Sequence, residues 1–290
     1  GRFQPWAVDL PVFDAAERIS SAGLGDFNGD GRLDLMVALY GDSSSDLRSF
    51  VLLASTAHGF QRVNTSHAPL PGRTGAWAVA DMDGDGRADL VVGARQQISV
   101  WLGQVDGSLT EVSRIPHASN SYSLLVADLN GDGRKDVVAD ASSPSALQVY
   151  LGLGHGQFAP AVGSPQSDNL TPLVADDLDG DGTLELVANT TKGALLLHAT
   201  KDGQLVDPQP LVDDFPLINA TFFDLNGDGE LDFISHTEGQ ELRIAFGDGK
   251  LGFASPQRYA CPYSTTLTVE DFDGDGHHDL AMYSDYPEAL

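Results

Sequence analysis

One nine-residue pattern, D-x-[DN]-G-D-G-x-x-[DE], occurs six times in this 290-residue chain. The copies start at Asp26, Asp81, Asp128, Asp177, Asp224 and Asp271, with successive starts 55, 47, 49, 47 and 47 residues apart. Self-similarity at such a period restricts the fold to a repeat architecture, in which each unit is one supersecondary element that buries its apolar faces against its neighbours.

The six copies hold about half of the 42 acidic residues of a chain whose formal net charge is −26. Three or four carboxylates within nine residues repel one another unless a cation is present. Oxygen donors at alternate positions suit a hard cation that takes roughly six to eight ligands at flexible geometry, which is Ca²⁺ rather than Mg²⁺. No His or Cys stands at a side-chain ligand position, which argues against Zn²⁺. The expected side-chain ligands are positions 1, 3, 5 and 9 of each loop. These are Asp26, Asn28, Asp30 and Asp34; Asp81, Asp83, Asp85 and Asp89; Asp128, Asn130, Asp132 and Asp136. In the second half they are Asp177, Asp179, Asp181 and Glu185; Asp224, Asn226, Asp228 and Asp232; Asp271, Asp273, Asp275 and Asp279. The position-7 backbone carbonyls of Arg32, Arg87, Arg134, Thr183, Glu230 and His277 would add one ligand each, giving about six Ca²⁺ sites. Glycine at positions 4 and 6 permits the positive-φ turns that wrap a loop around an ion.

The flanks exclude an EF-hand, which needs helices on both sides and a Glu at position 12. Position 12 is Val37, Val92, Ala139, Ala188, Ser235 and Met282, and short apolar runs such as Ala76–Ala80 and Leu90–Val92 flank the loops. Runs of this length bounded by glycine-rich turns read as strands, so each acidic loop is the turn of a β-hairpin between strands A and B. A third strand ending near glycine recurs at Phe50–Leu53, Ile98–Gly103, Leu147–Gly152, Leu195–His198 and Leu242–Gly247, followed by a glycine turn and a fourth strand. No stretch reads as a helix of ordinary length. Four-stranded units repeated radially predict an all-β β-propeller with four-stranded antiparallel blades, six of them, with seven as the alternative, in one domain over 1–290. The N-terminal Gly1-Arg2-Phe3-Gln4-Pro5 is similar to Gly156-Gln157-Phe158-Ala159-Pro160 and is expected to supply the outer strand of the last blade.

This combination resembles the FG-GAP/VCBS repeat of integrin α-subunit propellers and of many bacterial secreted proteins, over essentially the whole chain. The resemblance implies Ca²⁺ in the A–B hairpin loops and a role in adhesion or recognition.

The acidic balance excludes a nucleic-acid or anionic-lipid partner, since both need a basic surface. No run approaches the ~20 apolar residues of a membrane-spanning helix, so no direct membrane insertion is expected. The single cysteine, Cys261, excludes an internal disulfide framework and is expected to be buried. Recognition is expected on the irregular face made by the D–A and B–C connections. That face would include the 41–48 insert, Tyr40, Trp77, Arg95, Tyr122, His236, Tyr283 and Tyr286, with Trp77 and Tyr122 equally able to pack between blades. Asn64, Asn169, Asn189 and Asn219 each begin an N-x-[ST] sequon. There is no H-E-x-x-H and no G-x-S-x-G, and His277-His278 reads as a solvated pair, so no catalytic constellation is identified. The expected function is an extracellular or periplasmic calcium-binding module that engages a protein partner or a larger assembly. The alternatives are a glycan-binding lectin or the propeller part of a polysaccharide-degrading enzyme. Sites with Kd of ~10⁻⁵–10⁻³ M fill at extracellular calcium, so the protein is expected to be secreted, on the cell surface or periplasmic.

Overall fold

The computed structural model describes residues 11, 13, 18–41, 44–63, 76–121, 123–142, 145–164, 170–212, 217–237, 240–261, 266–272 and 278–283. Among them the only regular elements are strands. The chain divides into two compact units, one chiefly of residues up to Gln166 and one chiefly of Ser167–Leu290.

In the first unit, β1 (Arg18–Gly25), β2 (Asp34–Gly41), β3 (Ser44–Thr56) and β4 (Gly59–Val63) form one antiparallel sheet in sequence order. The second repeat contributes β5 (Ala76–Ala80), β6 (Asp89–Gly103) and β7 (Leu109–Asn120). Here strands B and C run on as the single β6, which turns at Gln96, a residue with φ of 60°. The third repeat comprises β8 (Leu124–Ala127), β9 (Asp136–Ser142), β10 (Ser145–Tyr150), the hairpin β11 (Gly152–Gly154) and β12 (Gln157–Phe158), and β13 (Val162–Gly163), which pairs with β10.

In the second unit, β14 (Thr171–Asp176), β15 (Glu185–Thr190), β16 (Gly193–Ala199) and β17 (Leu205–Val212) make one sheet. A second holds β18 (Leu217–Phe223), β19 (Asp232–Thr237), β20 (Glu241–Ala245) and β21 (Gln257–Ala260). The last repeat is a two-stranded hairpin of β22 (Thr266–Glu270) and β23 (Asp279–Tyr283).

The sheets are the four-stranded antiparallel blades of a β-propeller. Within each unit the A strands of successive repeats touch one another: β1 with β5 and β5 with β8, then β14 with β18 and β18 with β22. The expected six blades are corrected to five. The sixth acidic motif sits in a hairpin that supplies only strands A and B, so the described residues give that repeat no outer half. The N-terminal segment expected to complete it lies outside the described residues. A second correction concerns the 41–48 insert. It is not an irregular loop: β3 begins at Ser44, and Tyr40 pairs with Leu47, so the extra residues lengthen the β2–β3 hairpin.

Packing explains why the middle strands read as unbroken apolar runs rather than as alternating ones. Within each unit successive blades pack face to face through these strands. Met36, Ala38, Phe50 and Leu52 pack with Leu90 and Val92 of the next blade, while Val37, Leu39, Val51 and Leu53 face the opposite way. Val91, Ile98 and Val100 then meet Val137, Ala139 and Tyr150 of the third blade. In the second unit Val187 and Leu196 meet Phe222 and Phe233, and Ile234 and Ile244 meet Val269 and the buried Cys261. Burying a Val, Leu, Ile or Phe side chain contributes about 1.5–3 kcal/mol, so the stability of each blade lies largely in its contact with the next.

Candidate metal centres

Each of the first five acidic loops folds back over its own first residue. Asp81 Oδ1 accepts the Gly84 N–H at 2.7 Å and Oδ2 accepts the Gly86 N–H at 2.9 Å. The same wrapping is made by Asp26, Asp177 and Asp224, each of which accepts the N–H groups of positions 4, 5 and 6. Asp128 accepts those of Asp132 and Gly133. The position-5 carboxylate then accepts the N–H of position 7, at 2.8 Å for Asp85 and 2.9 Å for Asp132. These bonds gather oxygens on the inside of the turn. The expected role of the glycines holds: Gly84 and Gly86 have φ of 80° and 85°. A Cβ at either would meet nothing within 4 Å, so conformation and not space requires glycine there.

Position 9 behaves differently. Asp34, Asp89, Asp136, Glu185 and Asp232 are all buried, at 0–1% exposure. Asp89 accepts the N–H of Met82 at 2.7 Å and that of Gly103 at 2.8 Å. Asp34 does the same with Phe27 and Ser55, and Asp232 with Leu225 and Gly247. This carboxylate therefore clamps loop position 2 to the end of strand C. In the fourth loop Glu185, one methylene longer, bonds the Leu178 N–H and reaches the His198 ring at 3.1 Å instead.

The role of two partners of this clamp escaped the sequence reading. Position 2 is always apolar, and Phe27, Met82, Leu129 and Leu178 are buried, anchoring the first four loops to their blade cores. The alternation of this residue with the acids was visible in all six copies. The other partner is the glycine that ends strand C. A Cβ on Gly103 would stand 2.5 Å from the Ala88 carbonyl oxygen, which is backbone and cannot swing away. Gly103→Ala is therefore expected to destabilise the protein by about 1–3 kcal/mol, read from denaturant unfolding. A cost no larger than that of the same substitution at exposed Gly163, where a Cβ meets nothing, would contradict this.

Among the described residues, three carboxylates converge in two loops. Ligand oxygens of Asp81, Asp83 and Asp89 lie within 4.8 Å of one another, as do those of Asp177, Asp179 and Glu185. Oxygens that close can share one cation with metal–oxygen distances of about 2.3–2.6 Å, so the donor set fits a hard ion. Loops one, three and five carry Asn28, Asn130 and Asn226 at position 3, an amide oxygen in place of a carboxylate. In loops two and three the Arg side chain at position 7 pairs with the position-5 acid: Arg87 with Asp85, and Arg134 with Asp132. Each Arg also donates from Nε to the carbonyl of the strand-C glycine, Gly103 or Gly152, at 2.9 and 2.7 Å. In the sixth loop Asp273, Asp275 and His277 lie outside the described residues. Asp279 accepts the Phe272 N–H at 3.2 Å, which repeats the position-2 half of the clamp.

Burial pushes Asp89 up to about 6, partly offset by its two N–H donors and reinforced by Asp83 and Asp81. Asp34 and Glu185 are raised by the same cause. A folded-state pKa above the unfolded value means that the ion-free fold binds extra protons between about pH 4 and 6. The stability from Asp89 is present at low pH and is lost as pH rises through about 6, and Asp34 and Glu185 act in the same direction. The ion-free protein is therefore expected to melt higher at pH 5 than at pH 7. The calcium-loaded protein is expected to do the reverse, because protons compete with the ion for the same oxygens. Melting curves at both pH values, with and without added calcium, check this, and slopes of the same sign would contradict it.

The expected recognition face changes in part. His236 is fully buried in β19 and offers nothing to a surface ligand. Trp77 packs between the first two blades, edge-on to Phe50 at 5.1 Å, with its Nε1 donating to Ser21 Oγ at 2.9 Å. Tyr122 and Tyr286, and the side chains of Tyr40, Arg95 and Tyr283, lie outside the described residues. Asn189, the first residue of a sequon, instead joins two blades: its side-chain amide donates to the Leu217 carbonyl and accepts the Leu217 N–H.

The family model described as FG-GAP-like repeat matches residues 81–139, 177–235 and 224–282, which together exceed half of the chain. This chain belongs to the FG-GAP-like repeat family. The matched segments each run from one acidic loop into the next or through its flanking strands, which are the elements that build the FG-GAP-like blades described above. A search of the curated proteins finds no match. Among solved structures, an Agrocybe aegerita lectin that specifically recognises non-reducing terminal N-acetylglucosamine is 17% identical with a TM-score of 0.63, over 90% of this chain and 73% of the lectin. BBS1N, solved in complex with ARL6DN, is 15% identical with a TM-score of 0.60, over 96% of this chain and 79% of that one. The rhamnogalacturonan lyase YesW is 15% identical with a TM-score of 0.58; this FG-GAP-like protein is covered over 92% of its length but spans only 55% of the lyase. These likenesses show the fold. Among the described residues no helix is long and apolar enough to cross a membrane.

Proposed function

We propose that this FG-GAP-like repeat protein is a calcium-stabilised recognition module that works outside the cytoplasm and engages a protein partner or a larger assembly. The observation that carries the reading is the convergence of three carboxylates in each of two loops, at Asp81, Asp83 and Asp89 and at Asp177, Asp179 and Glu185. In every loop the side chains at positions 1, 3, 5 and 9 and the position-7 carbonyl would hold Ca²⁺, about six ions in all. Bound Ca²⁺ supplies the positive charge that offsets the crowded carboxylates. The loop residues do the rest: they wrap the turn by backbone N–H bonds and clamp it to strand C. Sites with Kd of ~10⁻⁵–10⁻³ M would fill at extracellular calcium, which supports a secreted, cell-surface or periplasmic setting.

A protein partner is supported by the charged, loop-rich surface such a fold presents and by BBS1N, a propeller of similar fold solved with a protein bound. A glycan ligand is the second reading, favoured by the likeness to a lectin. We assign a binding rather than a catalytic role. The test is to immobilise the calcium-loaded protein and set capture from its native source beside a glycan array. A captured protein with a blank array supports the first reading. Specific array binding with nothing captured would replace it by the second.

A further inference from the structure

Position 7 of the acidic loops varies, and its side chain acts on the ligand at position 5. In loop two the Arg87 guanidinium pairs with Asp85 and donates from Nε to the Gly103 carbonyl at 2.9 Å. In loop three Arg134 pairs with Asp132 and donates to the Gly152 carbonyl at 2.7 Å. Loop four has Thr183 instead, whose hydroxyl donates to Asp181 Oδ1 at 2.7 Å. Loop five has Glu230, which as a carboxylate only accepts hydrogen bonds.

The position-5 acid is also the expected ligand that stands apart. The carboxylates that converge are those of positions 1, 3 and 9, in loop two as in loop four, and neither Asp85 nor Asp181 is among them. Both oxygens of Asp85 are engaged: Oδ1 accepts the Arg87 N–H at 2.8 Å, and Oδ2 meets the Arg87 guanidinium. That guanidinium is fixed at both ends, on a ligand carboxylate and on the glycine that ends strand C. It is a tethered counter-ion on the one carboxylate of the loop that has still to join the other three.

We propose that the position-7 side chain sets the calcium affinity of its loop, and that Arg87 and Arg134 keep loops two and three weaker than they would be without that charge. The proposal rests on the calcium reading above. A cation in loop two shares Asp85 with a guanidinium of like sign, and the repulsion weakens binding. Without the cation the same charge offsets the crowded carboxylates and stabilises the loop. The pair is partly exposed, 23% for the Arg87 side chain and 28% for that of Asp85, so water and salt keep both effects modest. A residue that merely braced the loop against strand C would act with the opposite sign, since its loss would loosen the ligands and weaken binding.

The test follows the position-6 glycine amides by NMR as calcium is added to the full chain. Gly86, Gly133, Gly182 and Gly229 each donate their N–H to the position-1 carboxylate of their own loop, at 2.8–3.0 Å, so each reports its own site. Arg87→Gln is expected to lower the calcium midpoint at Gly86 by ~5–10-fold and to leave those at Gly182 and Gly229 unchanged. Its ion-free melting temperature is expected to fall by about 2–4 °C. Arg134→Gln is expected to act in the same way at Gly133. Arg87→Lys, which keeps the charge, is expected to restore most of the natural midpoint. Midpoints unchanged or raised at Gly86 and Gly133 in the two glutamine variants would overturn the proposal while leaving the calcium sites in place. If no glycine resonance moves with calcium in the natural protein, the calcium reading itself fails and the proposal falls with it.

Discussion

Stripping calcium is expected to lower the melting temperature by about 10–20 °C. A ligand that binds only the folded state at a hundredfold excess over Kd stabilises by about 2.7 kcal/mol per site. The loops of Asp81–Asp89 and Asp177–Glu185, with three converging carboxylates each, would contribute twice that. In a chain of this size 1 kcal/mol moves the midpoint by about 2–4 °C. The Asn-bearing loops would add smaller amounts. The loss follows from the carboxylates themselves: without a cation, their mutual repulsion acts inside turns whose backbone is already committed to wrapping them. Thermal unfolding with and without chelator measures this, and superimposable curves would contradict it.

The second large effect is expected from Asp89→Ala, and it should persist in calcium-free buffer. Both oxygens of Asp89 are held by N–H groups, from Met82 and Gly103, in a place with no water to replace them. Removing the carboxylate leaves two buried donors unpaired at about 1–3 kcal/mol each. Part of that is returned because a desolvated carboxylate is no longer buried. The net expectation is about 2–4 kcal/mol in denaturant unfolding. Asp81→Ala makes the contrast. Its donors, the N–H groups of Gly84 and Gly86, lie at an exposed turn where water can substitute. Without calcium it should cost well under half as much, and with calcium it should lose the ion-linked stability as well. Equal losses for the two variants in calcium-free buffer would show that position 9 is not a clamp.

Much of this was legible in the sequence because repetition makes a local rule visible six times. The loop boundaries, the A and B strands and the positive-φ glycines follow from residue type and spacing alone. What was not legible depends on contacts between distant strands. Asp89 and Asp81 are the same residue in the same motif, yet one is clamped in the core and the other lies in an exposed turn, because only position 9 reaches the N–H at the end of strand C. His236 has the sequence context of a loop residue, but it stands in the middle strand β19, paired to β18 and β20, and is fully buried. Sequence alone allows Trp77 on the recognition face or between blades with equal weight; its contact with Phe50 decides for packing. The count of five blades among the described residues has a similar origin. Six motifs predict six A–B hairpins, and they say nothing about where the outer strands of the last repeat come from.

The central claim is that each acidic loop is a calcium site that holds a blade together. The most direct test is the number of calcium ions bound per chain at saturation, by equilibrium dialysis, for the natural protein and for Asp81→Ala. The expected result is about six ions for the first, filling over ~10⁻⁵–10⁻³ M free calcium, and one fewer for the second. Binding of fewer than two ions, or an unchanged number in Asp81→Ala, would contradict it.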